Sequence, residues 1–395
     1  MTDCCIVGGG VIGLSIAREL AGRGLTVRAL ARDAARDTTS WAAAGILPPA
    51  PQQPGLSPNA ALTAWSDRLM REWAADLLVE TGIDVGLREC GGLHVAATAA
   101  ALERLRGTAD TWRRRGARCD WLDAAALAAC EPALAGAVAA GHLLGGFVLP
   151  GELQVRPSRL LDALERSCEL RGVVIETADV ARIEVRDGRV TGVVVDGRPG
   201  AETVQAAAYV LAAGAWTERL AAPLGLRLET RPIRGQIVML RLPRPVLGRV
   251  VNRGLDYLVP RDDGRLLVGS TLEDAGFDPE PTATTIERLQ GVARDLLGDA
   301  AEAPVERVWA GLRPGSADGL PTIGRVPGIR NAFVAAGHFR AGIHQSAGTA
   351  VLVADLVTGR PPTLDPSPFA ADRPPAPPGP DSVAAMLARA AGVDA

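Results

Sequence analysis

Cys4-Cys5-Ile6-Val7-Gly8-Gly9-Gly10-Val11-Ile12-Gly13-Leu14-Ser15-Ile16-Ala17 is the stretch that decides the fold class of this chain. Four apolar residues read as a short strand, and three glycines turn the chain. Val11, Ile12, Leu14, Ile16, Ala17 and Leu20 then continue at helical spacing to a stop near Gly22 or Gly24. Residues 26–30 (TVRAL) read as a second strand, which completes a βαβ unit. In the spacing Gly8-x-Gly10-x-x-Gly13, the first glycine permits the tight turn and the second lets a pyrophosphate approach the backbone. The third lets helix and strand pack closely. Gly8, Gly10 and Gly13, with Val11 and Ile12 at the helix N-terminus, are therefore candidate phosphate contacts.

A dinucleotide fold usually carries Asp or Glu at the end of the second strand to hold the ribose. Here that place is Ala31, followed by Arg32 and Asp33. An arginine without an acid suits the 2′-phosphate of NADP; FAD, with Asp33 or water serving the ribose, is the other reading. Further along, residues 59–82, 156–170 and 285–297 carry helical patterns, the last behind a capping-box pair, Thr284 and Glu287. Strands are expected at 173–175, 181–185, 190–195 and 209–211, and in a hairpin at 264–271. Glycine-rich turns recur at Ala212-Ala213-Gly214-Ala215 and Ala335-Ala336-Gly337, so the nucleotide-binding domain is expected to be discontinuous. The proline-rich tail from Pro374 is expected to be loosely held.

The chain has 395 residues, 47% hydrophobic and 22% charged, with a formal net charge of −3. That length suits two domains, or one with a large insertion, and the charge balance gives no reason to expect nucleic acid or an anionic membrane as partner. All 42 basic residues are arginine; there is no lysine. This excludes lysine Schiff-base chemistry and a GK[ST] phosphate loop. Cys4, Cys5, Cys90, Cys119, Cys130 and Cys168 form no C-x-x-C pair and read as free thiols of a reducing compartment. His94, His142, His338 and His344 lack the spacing of a zinc helix, so no metal is expected. The apolar N-terminus has no positive n-region and is broken by glycines, and no run reaches the roughly 18 apolar residues of a membrane span. A cytoplasmic protein is expected.

Several further motifs follow in order. Thr38-Thr39-Ser40-Trp41-Ala42-Ala43-Ala44-Gly45-Ile46-Leu47 is a small-residue run that lets backbone approach a flat ligand. Ala213-Gly214-Ala215-Trp216, Arg231-Pro232-Ile233-Arg234-Gly235-Gln236 and Tyr257-Leu258-Val259-Pro260-Arg261 come next. Trp309-Ala310-Gly311-Leu312-Arg313-Pro314-Gly315 and Gly337-His338-Phe339-Arg340-Ala341-Gly342-Ile343 close the series. Together they resemble the FAD-dependent D-amino-acid oxidase superfamily, and within it the glycine oxidases that serve thiamin biosynthesis.

The resemblance implies an α/β plus α+β architecture, with a discontinuous Rossmann-like FAD-binding domain and an antiparallel-sheet substrate domain. The first is expected to take residues 1–85, 145–215 and 325–370, the second 86–144 and 216–324, with 371–395 a C-terminal tail. Non-covalent FAD would be held by Gly8, Gly10, Val11, Ile12, Gly13, Ala31, Arg32, Thr39, Ser40, Ala44, Gly45, Ile46, Val180, Gly214, His338, Phe339, Arg340, Ala341, Gly342 and Ile343. Arg313 would hold the amino-acid carboxylate, since guanidinium grips carboxylate through two parallel hydrogen bonds. Tyr257 would add a second hydrogen bond to the carboxylate, with Arg340, Leu255 and Leu272 around the substrate. The implied reaction is oxidation of glycine to the imino acid, with hydride to flavin and dioxygen as acceptor. A homo-oligomer, a tetramer in this family, and a thiazole-forming partner are implied too. Leu255 and Leu272 stand where the glycine oxidases carry histidine and methionine, and Ala341 where they carry asparagine. Leu272 for methionine conserves volume; the changes at Leu255 and Ala341 point to a more apolar pocket and leave sarcosine, other N-alkyl glycines and small D-amino acids open beside glycine. An NADP-dependent dehydrogenase and a non-catalytic flavoprotein are the rival classes.

Overall fold

In the computed structural model, which describes residues 2–32, 38–196, 202–374, 377–379 and 382–390, the strand Cys4–Val7 lies inside a six-stranded sheet. Val27–Ala31 and Ala208–Leu211 flank it, both parallel to it. The full order is Thr322–Arg325, Ala332–Ala336, Ala208–Leu211, Cys4–Val7, Val27–Ala31, Val174–Thr177, with only the first antiparallel to its neighbour. A parallel strand covered on both faces shows no polar side, which is why CCIV is one apolar run. Cys4 and Ile6 pack among apolar residues of the helices Val11–Gly22, Pro58–Thr81, Pro157–Leu170 and Gly342–Thr358. Cys5 and Val7 pack the other way, against Ile183, Val193 and Val195 of a three-stranded antiparallel sheet. The nucleotide-type sheet thus takes its strands from early, middle and late parts of the chain.

A second, eight-stranded sheet has the order Val305–Gly315, Arg231–Arg241, Arg265–Gly269, Asp256–Pro260, Val250–Arg253, Gly92–Ala96, Gly145–Leu149, Asp120–Asp123. Its pairs are antiparallel except Val250–Arg253 beside Gly92–Ala96. Alternation sorts its side chains. Val238, Leu240, Leu258, Leu266 and Val268 pack with Leu127, Leu289, Val292 and Leu296 of the helices Ala124–Cys130 and Ala283–Leu297. Ile237, Tyr257, Val259 and Leu267 turn to the opposite face, where they meet Ala44. That contact joins the second sheet to the nucleotide-binding part.

Three details differ from the sequence reading. Gly145–Leu149 pairs with Gly92–Ala96 and Asp120–Asp123, so the boundary expected at 144/145 cuts through the eight-stranded sheet. A short apolar strand carries no signal of which sheet it will join. The helix expected at 285–297 begins at Ala283 behind Thr282, not behind Thr284. Gln236 fixes that start: its Oε1 accepts from the Thr282 amide at 2.8 Å. The described part of the tail is tethered, not loose. Ser382, Val383 and Met386 are buried, and the Val383 amide donates to Ser316 O at 3.3 Å. Among the described residues, no helix is long and apolar enough to cross a membrane.

Candidate active site

A cleft of about 700 Å³ runs between the two sheets. The glycine turn forms its middle. Gly8 has φ +129°, and a Cβ there would overlap the Ala212 carbonyl; a Cβ on Gly13 would overlap the Gly8 carbonyl. The turn can therefore be built only from glycine at these two positions. The first helical acceptor, Gly10 O, is taken by the Leu14 amide, so the amides of Val11, Ile12 and Gly13 project from the helix end. Ser40 Oγ accepts from Val11 at 3.0 Å. No acidic residue stands in the first turn to offset the positive end of the helix dipole.

The small-residue segment after the βαβ unit forms one wall and is tied from behind by the second sheet. Thr39 Oγ1 donates to Leu312 O at 2.6 Å, Trp309 Nε1 to Ala42 O at 3.0 Å, and Arg261 Nη2 to Ala44 O at 2.8 Å. The Val155 amide donates to Gly45 O at 2.8 Å. This backbone is thus tied along the cleft by groups far away in sequence, two of them the side chains of Trp309 and Arg261.

At one end lies the carboxylate-binding candidate. Arg313, half-buried, donates from Nη1 to Thr271 O and from Nη2 to Ser270 Oγ, each at 3.0 Å, and hydrogen-bonds the Tyr257 phenol. Burial lowers its pKa from the ordinary value; the phenol opposes that, and Arg340 adds to it through like charge. Two glycines make the floor. A Cβ on Gly235 would overlap the guanidinium of Arg313, and one on Gly269 would sit 2.6 Å from the Tyr257 ring and hydroxyl. His338 is buried, contacts Thr349 Oγ1 through Nε2 at 3.0 Å, and burial pulls its pKa down to about 3. It is a neutral imidazole at physiological pH.

The family model for FAD-dependent oxidoreductases (DAO) matches residues 3–356. The chain belongs to this FAD-dependent oxidoreductase family. It is 37% identical to the glycine oxidase of Geobacillus kaustophilus over 373 residues, 94% of this chain and 97% of that one. The crystal structure of glycine oxidase from Geobacillus kaustophilus superposes with a TM-score of 0.86 at 36% identity, covering 95% of this chain and 99% of the other. A bifunctional ThiO/ThiG protein of Synechocystis is 35% identical over 364 residues, 90% of this chain and 51% of its own.

FAD is therefore the cofactor of this DAO-family enzyme, and the cleft suits it. The glycine turn and the Ile12 amide at the helix end stand ready for a pyrophosphate, and the small-residue wall at 42–46 leaves room for a ring system. The rival NADP reading from Ala31-Arg32 falls with the family. Ala31 and Arg32 do line the cleft, beside Val180, Gly214, Asp179, Asp196, Trp216 and Arg219. Arg32 is stacked on the Trp216 ring, 4.1 Å from its centroid. Asp33 lies outside the described residues.

Of the expected site residues, Gly8, Gly10, Val11, Ile12, Ala31, Arg32, Thr39, Ser40, Ala44, Gly45, Ile46, Val180, Gly214, Tyr257, Arg313, His338, Phe339, Arg340, Gly342 and Ile343 line the cleft. Gly13, Ala341, Leu255 and Leu272 do not. Gly13 acts one layer back, through its packing on Gly8. Leu255 follows Gly254, whose φ of +64° turns the chain. The alternation that would have carried Leu255 onto the face of Tyr257 is broken there. Leu272 lies beyond the end of the strand Arg265–Gly269, and Ala341 caps the helix Gly342–Thr358. Gly235, Gly269, Trp216 and Arg219 were missed as site residues. Gly235 and Trp216 stand inside quoted motifs, but only their cross-sheet neighbours reveal what they do. None of the six cysteines lines the cleft, and burial pushes the Cys5 and Cys168 thiols up to about 12.

Proposed function

We propose that the chain oxidises glycine, or an amino acid of similar size, to the imino acid, which hydrolyses to the keto acid and ammonia while dioxygen becomes hydrogen peroxide. The observation that carries the reading is the Arg313–Tyr257 pair at one end of a dinucleotide cleft, on a floor cleared by Gly235 and Gly269.

Bound FAD supplies the acceptor for the electron pair of the α C–H bond. The protein supplies binding and field. Arg313 holds the carboxylate and fixes the α-carbon relative to the wall at 42–46, the entropic part of catalysis. Its hydrogen bonds to Thr271 O and Ser270 Oγ hold the fork before substrate arrives. A carboxylate also offsets the like charge of Arg340 on the half-buried Arg313. The same two cations disfavour a bound ammonium and so favour release of its proton to solvent, leaving a neutral amine whose lone pair assists loss of the α-hydrogen. No side-chain base is required. Asp179 and Asp196 line the opposite, Trp216 end, and His338 is a poor base at a pKa of about 3.

Leu255 and Ala341, which suggested a more apolar pocket, stand outside the residues that line the cleft. The fused relative motivates a thiazole-forming partner for the imine, and a homotetramer in the cytoplasm belongs to the same reading. Anaerobic addition of glycine to the yellow holoprotein should bleach the flavin, with glyoxylate and ammonia recovered on aeration. A flavin-loaded protein that glycine leaves oxidised, but sarcosine or D-alanine bleaches, would overturn the glycine assignment. A protein bleached by none of them would be the non-catalytic flavoprotein.

A further inference from the structure

Arg261 follows the strand Asp256–Pro260 and is 5% exposed, yet the acceptors of its guanidinium are all neutral. Nη1 donates to Gln154 Oε1 at 2.7 Å and Val155 O at 3.1 Å, and Nη2 donates to Ala44 O at 2.8 Å. The charged groups around it do not neutralise it. Arg156 and Arg88 are like charges. Asp263 is already bound by Arg156 at 2.7 Å and by Arg265 at 3.0 Å. The thiol of Cys90 is raised by burial and stays protonated. Burial of a cation without its own carboxylate is expensive.

The position suggests the use. Ala44 packs with Tyr257, Ile237, Val259 and Leu267, which puts it at the Arg313 end of the cleft. The neighbouring carbonyls of Ala42 and Gly45 are held by an indole and a backbone amide. Of these wall carbonyls, the one at Ala44 meets a full charge. A guanidinium on that oxygen pins the Ala44–Gly45 peptide and polarises it towards the cleft.

We propose that Arg261 is a positioning residue for the redox ring of the cofactor. Its uncompensated charge, delivered through the Ala44–Gly45 peptide, favours the negatively charged reduced form of the flavin. This rests on the reading that the substrate end of the cleft holds the ring, but not on which amine is oxidised.

Sulfite is the probe, because its sulfur lone pair bonds to flavin N5 and leaves the ring negatively charged, with no amino acid involved. Sulfite is titrated into the holoprotein, Arg261→Gln and Arg261→Lys, followed at the flavin absorbance, with flavin content and melting temperature recorded. The glutamine variant should bind sulfite about tenfold more weakly, and the lysine variant should stay within about threefold of the parent. Both should lose stability, since both lose part of the three-acceptor contact. Equal sulfite affinity in parent and glutamine variant, or equal weakening in both variants, would reduce Arg261 to a structural tie. If the glutamine variant does not retain flavin, Asp263→Asn decides by sign. Removal of this acid, whose charge acts on Arg261, should tighten sulfite binding, and weaker or unchanged binding would overturn the proposal. A holoprotein that shows this charge dependence but is not bleached by glycine would refute the substrate assignment and leave the role of Arg261 standing.

Discussion

Gly235→Ala is a one-methyl test of the carboxylate site. Gly235 lies on the strand Arg231–Arg241, opposite Gly311, and its φ is not in the left-handed region. Alanine therefore suits the backbone, and the fold should persist. The new Cβ, however, would fall inside the guanidinium of Arg313. Carbon and nitrogen need about 3.5 Å, so the fork must retreat by about 1.5 Å. Its hydrogen bonds to Thr271 O and Ser270 Oγ start at 3.0 Å and would not survive that shift. A displaced fork loses its charge-assisted grip on the substrate, worth about 1.5–3 kcal/mol. At about 1.4 kcal/mol per tenfold, kcat/KM for glycine should fall about 10- to 150-fold. The assay is anaerobic stopped-flow reduction of the flavin at rising glycine, with flavin content and melting temperature as controls. The loss should appear mainly in the concentration dependence, with FAD still bound. A variant that reduces at the parent's rate and half-saturation would refute the carboxylate role of Arg313 and the purpose assigned to Gly235.

Ala31→Glu restores an acid at the end of Val27–Ala31, where the ribose of the cofactor is expected. A regained charge-assisted hydrogen bond is worth about 1.5–3 kcal/mol, so FAD should bind at least about tenfold more tightly by flavin fluorescence on dilution. Unchanged or weaker retention would mean that the cofactor does not use this corner. His338 should shape the acid side of the stability curve. Its folded pKa of about 3 lies below the ordinary 6.5, so the protonated form is disfavoured by folding. Stability is full above pH 6.5 and is lost as pH falls towards 3, by up to about 1.4 kcal/mol per pH unit. His338→Gln should flatten that stretch in a melting-temperature series, and an unaltered slope would contradict the neutral, buried assignment.

Where the sequence reading held, the signal was local. The βαβ unit is written in one short stretch, because a strand, a glycine turn and a helix each declare themselves by period and by the need for a missing Cβ. Where the reading failed, the deciding contact was remote. Leu255 stands two residues from Tyr257, but a turn at Gly254 breaks the alternation that would have shared their face. Gly145–Leu149 is apolar enough for either sheet and was decided by its partners. Thr282 was preferred over Thr284 by a glutamine on another strand.

By itself the sequence determined the dinucleotide turn, the all-arginine chemistry and the residue types available for a carboxylate. Those depend on composition and on neighbours along the chain. Only the tertiary structure decided that Gly235 lies beneath Arg313, Gly269 beneath Tyr257, Trp216 beneath Arg32 and Ala44 against Arg261. Local periodicity sets which face a side chain takes. What it meets on that face is set by strand register and by the packing of one sheet against another.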